Sequence, residues 1–292
     1  MNINNTSITL GALSAQAAKS LECIYDHREA RAMVRIIFEE LGGYTTTDLI
    51  VRADVEATPY LVRKVDETVR RLLDGEPLQY ILGSARFYGL NLRVTPATLI
   101  PRPETAELVD MIVRYADNRA DLHVLDICTG SGCIAIALAR HLRFPIVEAT
   151  DISADAIGVG DANSRNSKTT IEFRCEDILS TPLPLSPRFD IIVSNPPYIA
   201  DFEKKDMADN VLLHEPATAL FVPDDDPLLF YRAIARYAKA ALKPGGTLWF
   251  EINPLFVSEL SQMLADKGYT DISITRDMQG KQRFARATSP AR

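Results

Sequence analysis

Residues 124–139 read V-L-D-I-C-T-G-S-G-C-I-A-I-A-L-A. An apolar run ending near Asp126 gives way to the small residues Thr129-Gly130-Ser131-Gly132, and then to a second apolar run with helical spacing. This is the layout of a buried strand, a tight turn and a helix. Glycines in such a turn let the backbone approach a ligand, and unpaired N–H groups at the helix start face it. No Gly-Lys-Ser/Thr follows, so the turn is not a phosphate loop. The sequence Cys128, Gly130, Gly132 also departs from the dinucleotide pattern G-x-G-x-x-G.

The strand–helix rhythm continues downstream. Strands are expected at His123–Ile127, Ile146–Thr150, Ile171–Arg174, Phe189–Ser194 and Thr247–Ile252, with two late ones near Ile272–Thr275 and Arg283–Ala287. Helical segments fall between most of them, which predicts an α/β fold with a doubly wound parallel sheet. Lys243-Pro244-Gly245-Gly246 reads as a helix end and turn, and residues 276–283 as a loop.

Upstream the pattern is different. Ala30, Val34, Ile37 and Leu41, and then Val65, Val69, Leu72 and Leu73, recur at helical spacing. Gly42-Gly43 and Asp74-Gly75-Glu76-Pro77 are stop signals. Residues 1–85 therefore read as a small helical domain suited to substrate recognition. Residues 86–98, which include F-Y-G-L-N-L-R-V from Phe87 to Val94, read as a β-hairpin linker, and residues 99–292 as the catalytic domain. A helix is expected from Pro103 through Leu108 and Ile112, with proline in its first turn.

Acids follow three successive strands: Asp126, Asp151 and Asp177. In open α/β sheets that edge is where ligands bind. An acid at the end of the second strand can accept hydrogen bonds from both hydroxyls of a ribose. Asp177 can meet an adenine amino group, and Ile178 can pack on the ring. The three together predict an adenosine-type cofactor.

The fourth strand runs into Asn195-Pro196-Pro197-Tyr198. Two prolines hold the chain extended and leave carbonyl oxygens as acceptors. An amide or exocyclic amino nitrogen is a weak nucleophile because its lone pair is delocalised. A pair of acceptors that holds both N–H bonds favours a pyramidal, reactive nitrogen. The Asn195 side-chain carbonyl and the Pro196 backbone carbonyl can provide them, while Tyr198 packs on the planar group. Catalysis would then be orientation plus electrostatics.

Bulk properties limit the partners. The 292 residues carry a net charge of −7, which gives no support to broad nucleic-acid binding. No apolar stretch is long enough to span a membrane, and the N-terminus lacks the layout of a signal peptide. Cys23, Cys128, Cys133 and Cys175 have neither disulfide nor metal-ligand spacing, so they are expected to be reduced thiols of a cytoplasmic protein with no metal.

The stretches D-I-C-T-G-S-G-C-I-A-I-A-L-A (126–139), S-N-P-P-Y-I (194–199), Q-Y-I-L-G-S-A-R-F-Y-G-L (79–90) and L-I-P-R-P-E-T-A-E-L-V (99–109) together resemble the class I methyltransferases. Within them the chain is similar to the release factor N5-glutamine methyltransferases, from about residue 20 to the C-terminus. The resemblance implies a Rossmann-like methyltransferase sheet behind a helical N-terminal domain, with S-adenosyl-L-methionine as cofactor. It implies methylation of the Gly-Gly-Gln glutamine in class 1 peptide chain release factors, a step in translation termination, with no direct nucleic-acid partner. The implied cofactor contacts are Asp126, Cys128, Thr129, Gly130, Ser131, Gly132, Asp151, Asp177, Ile178 and Asn195. Asn195, Pro196 and Tyr198 would be catalytic, and Pro197, Phe87, Arg102 and Glu104 would join them around the glutamine. For Phe87, a core position in the hairpin is the competing reading.

Two alternatives have their own signatures. An enzyme acting on a ribosomal protein usually reads I-P-R-S-P, so Pro103-Glu104 favours release factors. An amino-group DNA or RNA methyltransferase shares N-P-P-Y but lacks the 79–90 and 99–109 stretches. A non-enzymatic adaptor with a dead pocket would not need Asp126, Asp151 and Asn195 intact. The family usually has Gly where Cys128 stands. At a negative φ a Cys costs little there, so cofactor binding is expected to survive. Glu215-Pro216 with Ala219-Leu220 also fits the family, although a simple turn explains it.

Overall fold

The computed structural model describes residues 7–290. They form two compact units, one ending at Gly83 and the other beginning at Ser84.

The first unit is helical: α1 (Leu10–Leu21), α2 (His27–Gly42), α3 (Thr46–Val51), α4 (Pro59–Leu73) and α5 (Leu78–Leu82). Thr9, Asp26, Thr45 and Thr58 cap the first four by accepting hydrogen bonds from backbone N–H groups that have no helical partner. Gly43, at φ 67°, ends α2 in the left-handed conformation that favours glycine. Ala30, Val34, Ile37, Val65, Val69 and Leu72 are buried in one cluster around Phe38. Leu41 only borders that cluster, and Leu73 is 38% exposed. Leu73 follows Leu72 by one position, which turns it about 100° away from the buried stripe.

The second unit opens with a hairpin, β1 (Ser84–Phe87) and β2 (Leu90–Arg93). Its two-residue turn, Tyr88-Gly89, has φ of 46° and 76°, the paired positive angles of a tight hairpin turn. The hairpin thus begins before residue 86. Its Phe87 and Leu92 lie in the same core cluster as Leu108 and Ile112 of α6 (Pro103–Ala116).

A seven-stranded sheet follows, made of β3 (His123–Ile127), β4 (Ile146–Asp151), β5 (Ile171–Cys175), β6 (Phe189–Ser194), β9 (Leu242–Glu251), β10 (Thr270–Arg276) and β11 (Gln282–Thr288). Their order is β10-β11-β9-β6-β3-β4-β5. The helices α7 (Cys133–His141), α8 (Ala154–Asn166), α9 (Asp209–His214), α10 (Leu229–Ala241) and α11 (Val257–Asp266) lie between strands in the chain, and β7 (Ile199–Ala200) pairs with β8 (Phe221–Val222) as a separate short ribbon. The sheet is mixed rather than wholly parallel, because β11 runs antiparallel to both β9 and β10. The connection from β10 to β11 is too short for a crossover, so these strands can pair only antiparallel. The other pairings are parallel, and β3 and β6 are buried along nearly their whole length, as a sheet covered on both faces requires.

Asn163 of α8 ties this frame to the glycine turn. Its Nδ2 donates to the carbonyls of Ser131 and Arg93, both at 2.9 Å, and its Oδ1 accepts from the Arg93 N–H at 2.7 Å. An apolar side chain here would leave those groups without partners. Asn163→Ala is therefore expected to lower the unfolding free energy by about 1–3 kcal/mol in urea titration, with an unchanged m-value.

Candidate active site

The carboxyl ends of β3, β4 and β6 open into a cavity of about 330 Å³, within the size range of small-molecule sites. Thr129, Gly130 and Ser131 form its floor, with Cys128 beside them. Asp151 and Ile152 line one wall, Asp177 and Ile178 another. Asn195 and Pro197 close it from β6, and Pro101, Arg102 and Thr105 reach in from the segment leading into α6.

The turn itself is held by two carboxylates. Asp126 is fully buried beneath it, outside the cavity lining, and accepts from Thr129 Oγ1 at 2.6 Å and from the Ala135 N–H at 3.2 Å. Its Oδ1 has no hydrogen-bond partner, and neither has Ser131 Oγ. Burial raises the Asp126 pKa to about 7, against the pull of those two hydrogen bonds. Asp151 accepts from the Gly130 N–H at 2.8 Å and the Ser153 N–H at 2.9 Å, so it fixes the turn and lines the cavity at once. Burial raises its pKa as well. Asp177 accepts from the Leu179 N–H at 2.9 Å and from Ser180 Oγ at 3.2 Å.

Gly132 has a packing role. Its φ is 79°, and a Cβ there would sit 3.3 Å from Gly160 Cα and 3.2 Å from Ile136 Cδ1. Cys128 overturns one expectation, since its φ is +60° rather than negative. A side chain in that region costs about 1–2 kcal/mol, so this turn stores strain beside the cavity. Burial pushes the Cys128 and Cys133 thiols upward, the latter to about 12, so neither is primed as a nucleophile.

The N-P-P-Y loop is anchored at both ends. Ser194 Oγ donates to the Ile127 carbonyl at 2.6 Å, and the Tyr198 N–H donates to the Leu220 carbonyl at 3.2 Å. Asn253 Nδ2 donates to the Tyr198 carbonyl at 3.0 Å. Asn195 Nδ2 donates to Thr105 Oγ1 at 3.2 Å. The Tyr198 hydroxyl donates to Glu251 at 3.0 Å and lies away from the cavity lining, as does Pro196.

Other expected residues are placed differently. Phe87 is 4% exposed in the hairpin core and lies outside the cavity, because strand alternation turns it inward with Ala85. Of its two readings, these surroundings support the core one. Glu104 is outside the lining too and accepts from Gln279 Nε2 at 3.4 Å. Arg102 lines the cavity and pairs with Glu215, whose side chain is 1% exposed and also accepts from the Ile100 N–H. Glu215 is thus more than a turn residue.

The sequence reading did not single out Thr105, Glu251 or Asn253. Glu251 obeys the same rule that picks out Asp126 and Asp151, an acid at the end of a strand.

Two expected outcomes follow from the turn. Cys128→Gly removes the positive-φ penalty and returns about 0.5–1 kcal/mol of it as unfolded-chain freedom. Its melting temperature should equal or exceed that of the wild type, and a drop of several degrees would contradict the strain. Asp126 has its pKa raised on folding, so its stabilisation is complete below about pH 4 and fades as pH rises through about 7. Across that window, Asp126→Asn should gain stability relative to the wild type by about 1.4 kcal/mol per pH unit at most, read as unfolding free energies at pH 5 and pH 7.

The geometry has counterparts among known proteins. The family model described as "Methyltransferase small domain" matches residues 108–223, and the one described as "PrmC N-terminal domain" matches residues 12–83. A release factor glutamine methyltransferase of Bacteroides thetaiotaomicron is 41% identical over 278 residues, covering 95% of this chain and 99% of the relative. One from Flavobacterium psychrophilum is 38% identical, covering 92% and 95%. A crystal structure of a methyltransferase from Pyrococcus furiosus superposes with a TM-score of 0.51 at 16% identity, covering 77% of this chain and 99% of that one, a likeness of fold. With full-length relatives of this identity, the chain belongs to the release factor glutamine methyltransferase family.

Proposed function

We propose that this chain transfers a methyl group from S-adenosyl-L-methionine to the side-chain amide nitrogen of the glutamine in the Gly-Gly-Gln loop of class 1 peptide chain release factors. The observation that carries the reading is the rigid Asn195–Tyr198 loop set against a cavity that ends in strand-end carboxylates. Curated relatives of that name align over nearly the whole chain.

The residues present fit the cofactor. Asp151 offers a carboxylate to a ribose diol, Asp177 and Ile178 suit an adenine edge and face, and the 129–132 turn offers backbone polar groups beside the unpartnered Ser131 Oγ. Bound there, S-adenosylmethionine supplies an electrophilic methyl on a sulfonium. Asn195 accepts one N–H of the substrate amide through its side-chain carbonyl, and Pro196 accepts the other through its backbone carbonyl. Held this way, the nitrogen lone pair turns toward the methyl group rather than into the amide π system. The site needs no strong base, because the methylated nitrogen is strongly acidic until it loses its proton.

Residues 1–83 would grip the protein substrate, and the domain model matched there supports that division. The enzyme would work in the cytoplasm, where release factors act, and without contacting nucleic acid. Among the described residues no helix is long and apolar enough to cross a membrane.

Asn195→Ala removes one of the two acceptors, a loss typically worth about 10²–10³ in rate. Single-turnover transfer to a release factor should fall by that factor, with cofactor affinity within a few-fold of the wild type by calorimetry. Wild-type rates would sink the mechanism.

A further inference from the structure

Glu251, the last residue of β9, is 1% exposed and does not line the cavity. Its Oε2 accepts from Thr105 Oγ1 at 2.7 Å and its Oε1 from the Tyr198 hydroxyl at 3.0 Å. Thr105 Oγ1 is in turn 3.2 Å from Asn195 Nδ2. These three contacts have a forced direction. An ionised carboxylate can only accept, so the single hydroxyl hydrogen of Thr105 is committed to Glu251. Toward Asn195 the same oxygen can only accept. It therefore selects the NH₂ end of the Asn195 amide and leaves the carbonyl end for the cavity. Burial raises the Glu251 pKa, and the Thr105 and Tyr198 hydrogen bonds and the charge of Arg283 oppose that rise.

We propose that Glu251 is a positioning residue for methyl transfer: acting through the Thr105 hydroxyl, it sets which end of the Asn195 amide meets the substrate nitrogen. This rests on the reading of Asn195 as an acceptor for the substrate N–H. With the chain reversed, Asn195 would present a donor to a donor, and the nitrogen would not be held. The same side chain fixes the Tyr198 hydroxyl, so one buried group orders both ends of the N-P-P-Y loop.

The test is single-turnover transfer of labelled methyl to a purified release factor by the full-length enzyme, with cofactor affinity measured alongside. Thr105→Val keeps the shape and removes the hydroxyl, whereas Glu251→Gln lets the side chain donate and so frees the direction of the chain. Each should slow transfer on the order of tenfold or more while cofactor Kd stays within about twofold. Thr105→Ser should recover most of the rate lost in Thr105→Val. The decisive reading is the double variant: in the Thr105→Val background, Asn195→Ala should cost far less than in the wild type, because the amide is already misdirected. Fully additive losses would mean that Glu251 and Thr105 only support the fold, and they would overturn the proposal. A wild-type rate in Thr105→Val beside an inactive Asn195→Ala would also overturn it. Should Glu251→Gln fail to fold, the Thr105 pair and its cycle decide. No transfer by the wild-type enzyme would instead overturn the functional reading.

Discussion

The parallel register of β3, β6 and β9 is the constraint from which the site follows. Ile127 pairs with Ser194, and Ser194 pairs with Phe250, so the three strands end level. The residues just at or beyond those ends, Cys128, Asn195 and Glu251, are thereby brought to one edge of the sheet. A shift of one residue in any of these ladders would turn every side chain of that strand to the other face. The apolar runs that fill both faces of the sheet set the register, and the chemistry depends on it. Ser194 Oγ reinforces it locally by donating to the Ile127 carbonyl.

Polar groups are buried here at a cost that the rest of the fold offsets. Asp126 has one oxygen without a partner, Cys128 adopts a positive φ, and Asp151 and Glu251 are carboxylates drawn out of water. Local rules of stability are broken most often at sites of function. Cys128 and Asp151 line the cavity and Asp126 and Glu251 sit behind it, joined to lining residues by hydrogen bonds, whereas the helical caps and the cluster around Phe38 follow ordinary rules. The strain at Cys128 lies in a turn that lines the cavity, so relieving it tests stability and binding together.

Much of this was legible from the residues. The strands showed as apolar runs bounded by turn residues, and residues 128–131 of the glycine turn, Asp151, Asn195 and Pro197 line the cavity, while Pro196 and Tyr198 do not. Those signals are local in sequence. What escaped is non-local. The link from Asn195 to Thr105 spans 90 positions and that from Thr105 to Glu251 spans 146, and no periodicity reports such contacts. The antiparallel β11 was hidden for a related reason, since a strand's direction depends on its connection and not on its own residues. Phe87 shows how strand alternation decides between two readings that the residues alone leave open, since it turns the ring into the hairpin core.

The proposed mechanism requires the site to accept the two N–H bonds of a planar amide. A release factor whose Gly-Gly-Gln glutamine is changed to glutamate tests it directly, because the carboxylate is a competent nucleophile with no N–H to hold. Labelled methyl transfer to both proteins, mapped by mass spectrometry, should place one methyl on the glutamine side-chain nitrogen and none on the glutamate. Methyl ester formation on the glutamate at a comparable rate would contradict the account.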